Sequence, residues 1–93
     1  MNTYYAKLVY DANGGSGAPS SVSKNARSNG EPVATIDFTV SNRKPTRTGY
    51  NFLGWARTAT ATTVLYTGGE THSIMTASTN SDNPITHTLY AVW

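Results

Sequence analysis

The sequence contains no cysteine, few charged residues and no long hydrophobic run. The absence of cysteine excludes a disulfide framework and any thiolate metal site. Charged residues make up only 13% of the chain, about half the share that is usual in globular domains. The net charge of +2 is too small to indicate a nucleic-acid partner, and we interpret Arg43, Lys44 and Arg47 as a solvated turn. No segment has the pattern of a signal peptide or a membrane span, so this domain is not expected to insert into a membrane.

Hydroxyl and amide side chains take the place of the missing charge. Thr, Ser and Asn number 15, 9 and 8 among the 93 residues. Thr favours strands, Ser and Asn favour turns, and all three disfavour helix interiors. Two Trp, six Tyr and two Phe supply large rings from which a small domain can build its core. No stretch of ten residues has helical periodicity, so we predict five or six short strands.

Alternating apolar and polar residues locate the strands. The pattern is clearest in residues 4–10, 33–40 and 85–93, and it places Ile36 and Phe38 on a buried face. Further strands are predicted at 49–55, 64–66 and 71–75. Residues 20–32 have no clear period, which leaves a short irregular strand or a helical turn as alternatives. Residues 41–48 form a polar connector with room for one helical turn.

A Gly-rich segment, DANGGSGAP at Asp11 to Pro19, follows the first strand. It lacks the Lys-Ser/Thr pair of a phosphate-binding loop, so a backbone turn is favoured. The residues expected to permit tight turns or bends, including a bulge at the last of them, are Asn13, Gly14, Gly15, Gly49 and Gly54.

A search for catalytic or metal-binding chemistry finds no convincing group. His72 and His87 are separated by fifteen positions and lack metal-ligand spacing, so we interpret both as structural. The five acidic residues are scattered singly, without the paired carboxylates of a glycosidase. Lys7 lies on the strand face opposite Leu8, which favours a solvated amine over a buried one. The sequence therefore predicts no catalytic, cofactor-binding or metal-binding residues, and no enzyme activity.

Three separated blocks share a recognisable pattern. Tyr10 to Gly15 read YDANGG, Lys44 to Trp55 read KPTRTGYNFLGW, and Thr88 to Trp93 read TLYAVW. In this order and spacing the blocks resemble the Listeria–Bacteroides repeat, which is related to the B repeat of the internalins. The resemblance runs from about residue 4 to the last residue, and its specificity comes from the three blocks together.

The resemblance implies a small β-grasp-like fold, similar to ubiquitin or SUMO. Such a fold is α+β but mostly β, with a single sheet and at most one short helix. One domain is expected over residues 1–93, with Met1 to about Thr3 as linker or as an introduced start. The blocks and the alternation together predict a structural core of Leu8, Tyr10, Ile36, Phe38, Phe52, Trp55, Leu89 and Trp93.

The function implied by the resemblance is that of a non-catalytic repeat module. It would belong to a longer secreted protein at the bacterial cell surface or cell wall, acting as spacer or stalk and in adhesion. Its partners would be neighbouring domains or repeats of the same polypeptide. The alternative is a module that binds a host or bacterial glycan or protein, through an edge strand or through exposed Tyr4, Tyr5 and Tyr66.

Overall fold

All 93 residues are described by a computed structural model, which contains six strands in two sheets and no helix. The strands are β1 (Asn2–Asp11), β2 (Val22–Ser28), β3 (Ala34–Thr39), β4 (Gly54–Ala56), β5 (Thr71–Thr76) and β6 (Ile85–Val92). The prediction of a mostly β fold is confirmed. The expectation of a single sheet in an α+β fold is wrong, because there are two sheets and no helix. At most one short helix was expected, and residues 41–48, which had room for a helical turn, form none.

The larger sheet has four strands in the order β2-β1-β6-β4. β1 and β6 pair in parallel at its centre, from Ala6↔Ile85 to Asp11↔Tyr90. β2 and β4 flank them as antiparallel partners. Every second side chain of β1, including Leu8 and Tyr10, is buried beneath this sheet, as expected of a strand with one face on the core.

The smaller sheet consists of β3 and β5, paired antiparallel from Ala34↔Thr76 to Thr39↔Thr71. Both strands alternate buried and exposed residues along their whole length. A two-stranded sheet is marginal by itself, so its apolar face must pack on another layer. Ile36, Phe38 and Ile74 supply that face and join the core cluster with residues of the larger sheet.

For two segments the sequence pattern was a poor guide to the strands, for a common reason. Residues 20–32 show no period, yet β2 lies within them, and most of its residues are exposed on both faces. Residues 64–66 form only an isolated bridge, between Tyr66 and Trp55. Alternation marks a strand only when one face is buried, and neither segment buries a continuous face.

Strand boundaries also differ. The predicted strand at 49–55 is shortened to β4, since Gly49 has φ of 83° and belongs to a turn. The predicted strand at 71–75 extends to Thr76. At the amino end, Asn2 and Thr3 pair with Ser28 and Arg27 and thus belong to the sheet instead of a linker.

Gly54 lies in a β-bulge that turns the chain toward the core. Leu53 donates its N–H to the carbonyl of Val92 at 2.9 Å, although the strand register pairs Val92 with Gly54. Two consecutive residues thus face one partner, which is the arrangement of a bulge. Gly54 has φ of 151°, and a Cβ there would lie 2.5 Å from Cγ1 of Val64, so only glycine fits without a shift of its neighbours.

Trp55 is the largest fully buried side chain. Its ring makes edge-to-face contacts with Tyr10, at 5.0 Å between centroids, and with Phe52, at 5.1 Å. Its indole Nε1 is buried without a hydrogen-bond partner. The ring therefore stabilises the fold by packing alone. The remaining predicted core residues are buried, except Phe52 and Trp93, which are half-buried and pack against the cluster.

We expect Trp55→Ala to lower the free energy of unfolding by about 3–5 kcal/mol, as large-to-small core substitutions do. Chemical denaturation followed by circular dichroism measures the change. Met75→Ala is the matched control, because Met75 is 66% exposed and should change stability by less than about 0.5 kcal/mol. Equal losses for the two variants would contradict the role of Trp55.

Candidate functional site

A tight turn follows β1 and begins the most distinctive local structure of the chain. Asn13 and Gly14 have positive φ angles of 48° and 92°. Asn13 donates its N–H to Oδ1 of Asp11 at 2.7 Å, and Gly15 donates its N–H to the carbonyl of Ala12 at 3.0 Å. Asn and Gly tolerate the left-handed region that other residues avoid, so the Asn-Gly pair specifies the turn.

The last residue of the chain closes onto this turn. The indole Nε1–H of Trp93 donates to the carbonyls of Ala12 and Asn13, at 3.1 and 2.9 Å. In return, the Nδ2–H of Asn13 donates to the carbonyl of Ala91 at 3.0 Å. A Cβ at Gly15 would lie 2.5 Å from the Trp93 ring, so this contact requires glycine. We call Asn13, Gly15 and Trp93 the terminal latch, because they join the end of β1 to the end of β6.

An open cleft of about 650 Å³ lies beside the latch. Its walls are formed by the Gly-rich turn and by the central connector, which pair through two backbone hydrogen bonds between Ser16 and Thr46, at 2.8 and 2.9 Å. The Arg47 guanidinium lies 3.8 Å from the centroid of the Tyr50 ring, close enough for a cation–π contact. The lining is mostly polar and consists of Gly14, Gly15, Ser16, Thr46, Arg47, Thr48 and Tyr50.

The two histidines lie together, which their separation in sequence does not indicate. Nε2 of His72 and Nδ1 of His87 are 2.8 Å apart, and Nδ1 of His72 lies 2.8 Å from the Tyr66 hydroxyl. Burial, and then the charges of His87 and Arg57, lower the pKa of His72. Burial and then Arg57 lower the pKa of His87. Both rings therefore favour the neutral form, in which one nitrogen donates and the other accepts.

The tyrosines predicted to contact a ligand occupy different environments. Tyr4 is only 2% exposed, and its hydroxyl donates to the carbonyl of Glu31 at 2.6 Å, so the expectation of an exposed ring is wrong. Tyr66 is half-buried and engaged with His72, and Tyr5 is half-buried on the outer face of β1. The exposed tyrosine is instead Tyr50, with 53% of its surface accessible.

The family comparison matches residues 7–92 to the model described as the Listeria-Bacteroides repeat domain. This match covers nearly the whole chain and includes the turn after β1, the bulge at Gly54 and residues of both sheets. The chain belongs to the Listeria-Bacteroides repeat family. The family is typical of exported bacterial surface proteins. No curated protein and no solved structure matches the chain.

The three sequence blocks of the Listeria-Bacteroides repeat meet in space. Tyr10 of the opening block contacts Trp55 of the central block. Phe52, also from the central block, contacts Trp93 of the closing block at 5.8 Å between centroids. Trp93 in turn connects the closing block to the opening block, through its hydrogen bonds to Ala12 and Asn13. The blocks are thus the parts of the repeat that form one aromatic and hydrogen-bonded cluster.

The described chain has no helix, and hence none long and apolar enough to cross a membrane. It also has no cluster of three or more His, Cys, Asp or Glu side chains that could hold a metal ion.

The His72–His87 pair is the feature that sequence reasoning missed. Strand alternation places His87 on a face, but it does not identify which strand packs beneath it.

Acid should destabilise the repeat through its histidine pair. The folded-state pKa values of His72 and His87 lie below the ordinary value of 6.5, so the unfolded chain binds more protons as the pH falls. Stability is complete above about pH 6.5 and decreases below it, toward the folded-state pKa values. Urea denaturation at pH 7.5 and pH 5.5 should give a lower midpoint at the lower pH.

The double variant His72→Gln/His87→Gln is the control for this prediction. It should show a smaller difference between the two pH values, because no imidazole remains to be protonated. The backbone N–H of Thr67 bonds to the Glu70 carboxylate and lowers the pKa of Glu70 below its ordinary value of 4.5. Protonation of Glu70 therefore occurs at a lower pH than either measurement and does not affect this comparison. An identical pH dependence in the parent and the variant would exclude the histidines as its cause.

Proposed function

We propose that this repeat is a non-catalytic spacer that extends a bacterial surface protein and positions its neighbouring domains. The observation that carries the proposal is the direction of the first and last strands. β1 and β6 are parallel neighbours, so the chain enters at the amino end of this pair and leaves at its carboxyl end. Successive domains joined to the two ends would be held apart by the length of the module.

The shape of the molecule supports the same role. Its principal dimensions are 50 × 21 × 21 Å. The ten residues of β1 span about 30 Å at the usual rise per residue, which exceeds either width, so the strand direction follows the long axis. An elongated body with its chain ends at opposite poles increases the reach of a stalk with every copy added.

Support for a non-catalytic role comes from the histidine pair and from the family. His72 bonds to Tyr66 through Nδ1 and to Nδ1 of His87 through Nε2, so three of the four ring nitrogens of the pair are used in internal hydrogen bonds. The family motif offers no catalytic residue for transfer to this chain. We therefore place the module in the stalk of an exported cell-surface or cell-wall protein, where its partners are adjacent domains or repeats and it supports adhesion by presenting them.

Small-angle X-ray scattering of one copy and of a direct two-copy fusion tests the spacer function. The maximum dimension should increase by about 50 Å, the long dimension of one module. An increase near the 21 Å width would mean that the copies pack side by side, and it would contradict the proposal. A fusion with a flexible Gly/Ser linker is the control, since it should broaden the distance distribution without shortening the modules.

Ligand binding at the cleft is the second candidate function, and the exposed Tyr50 ring favours it. A ring face accompanied by Arg47 and by hydroxyl groups suits a sugar or an acidic glycan. The edge strand β2 is less suited to strand addition. Its Lys24 reaches the Asp37 carbonyl in β3, and charged residues on an edge strand discourage pairing.

A glycan array probed with the 93-residue chain tests this candidate. Binding that Tyr50→Ala reduces by about tenfold or more, equivalent to roughly 1.4 kcal/mol, would support a glycan site at the cleft. Leu65→Ala is the control, because Leu65 is similarly exposed but does not line the cleft. Binding that both variants retain would exclude Tyr50 as the contact.

A further inference from the structure

The two strands that lead to the chain ends are direct neighbours in the larger sheet. They pair in parallel from Ala6↔Ile85 to Asp11↔Tyr90. Tension on the chain ends draws β1 toward its amino end and β6 toward its carboxyl end, in opposite directions along one axis. We infer that the β1–β6 ladder is a shear-loaded clamp, which makes the module resistant to unfolding by tension along the chain.

The direction of loading decides how many hydrogen bonds share the force. Hydrogen bonds in a parallel ladder are evenly spaced along the strands, so sliding strains all of them together. Separation from one end would instead break them one after another. A slip of one residue would turn every side chain to the wrong face of the sheet. The nearest acceptable pairing lies two residues away, about 7 Å along the strand, and every bond must break before it forms.

Buried side chains on both strands oppose the same motion. Ala6 and Leu8 of β1, and Leu89 and Ala91 of β6, are essentially inaccessible to solvent and belong to one core cluster. Sliding would move these side chains past one another in a closely packed interior, where small changes of volume are costly. Trp55 adds to the resistance because its ring packs against β1 through Tyr10.

Additional contacts extend the ladder at both ends. At the amino end, Tyr5 donates its N–H to the carbonyl of Ser78 at 3.0 Å, and the Thr76 hydroxyl donates to the carbonyl of Tyr5 at 2.8 Å. At the carboxyl end, the terminal latch connects Asn13 to Ala91 and Trp93 to the turn after β1. The pair is therefore anchored beyond the bounds of β6 in one direction and of β1 in the other.

The position of the two strands completes the clamp. Each lies between two neighbours in the order β2-β1-β6-β4, so neither loaded strand is an exposed edge. The mechanical resistance follows from the polarity and packing of the two strands and does not require the spacer function. Its use in the cell, as the element that keeps a stalk folded under tension, rests on the proposed spacer function.

Single-molecule force spectroscopy in two pulling geometries tests the inference. Because the chain has no cysteine, one introduced cysteine gives a unique handle, either after Trp93 or as Asn29→Cys. Asn29 follows β2, whose Ser28 pairs with Asn2. Tension between residue 1 and residue 29 thus separates β1 from β2 starting at one end. We expect end-to-end pulling to require at least about twofold more force, since the parallel bonds are loaded together.

Two proline variants compare positions on opposite sides of the loaded strands. The N–H of Tyr5 faces the β6 side of β1, and by alternation the N–H of Val9 does so too. Val9→Pro removes that donor and should lower the end-to-end unfolding force. Asn25 pairs with Tyr5, so its own N–H faces away from β1. Asn25→Pro should leave the end-to-end force unchanged.

The comparison of pulling geometries needs neither proline variant, so it remains decisive if Val9→Pro does not fold. Equal unfolding forces in the two geometries would overturn the clamp. That result would leave the spacer proposal standing if scattering still shows a tandem fusion lengthened by a whole module. Conversely, a high end-to-end force with side-by-side packing of the two copies would retain the clamp and reject the spacer.

Discussion

The parallel pairing of β1 with β6 is the constraint on which the rest of this structure depends. It joins residues that are 79 positions apart, as in the pair Ala6↔Ile85. Bringing such distant segments together costs loop-closure entropy, which burial of Leu8 and Leu89 on the same face helps to offset. Once these strands are paired, the remaining elements complete the structure: β2 and β4 flank the pair, and the β3–β5 sheet covers its apolar face.

The aromatic side chains connect this framework to the family pattern. Tyr10, Trp55, Phe52 and Trp93 form a continuous series of edge-to-face contacts. Trp93 ends the series by bonding to the turn after β1. A single series of contacts therefore runs through the opening, central and closing blocks. This arrangement explains physically why the blocks form a set: each supplies one part of a cluster that stabilises the carboxyl end of the β1–β6 pair.

The sequence predicted those elements that bury one face along their whole length. Ala34, Ile36 and Phe38 alternate with polar residues, and β3 lies where that pattern places it. β2 lacked such a signal because most of its residues are exposed. The expectation of an exposed Tyr4 went against the same rule, because alternation places Tyr4 on the buried face of β1 with Leu8 and Tyr10. The histidine pair forms across β5 and β6, strands with no direct hydrogen-bonded pairing, and local patterns contain no information about such contacts.

The sequence alone determined the strand-rich composition, the Asn-Gly turn after β1, the apolar faces and the family. These features depend on residues that are close in the chain, or on the identity of separated blocks. Tertiary structure alone decided that the strands form two sheets, that β1 and β6 run parallel, and that His72 lies against His87. Alternation specifies which face of a strand is buried but not which strand lies beside it. Neighbours are chosen by the packing of the whole chain, and that choice places the two chain ends at opposite poles.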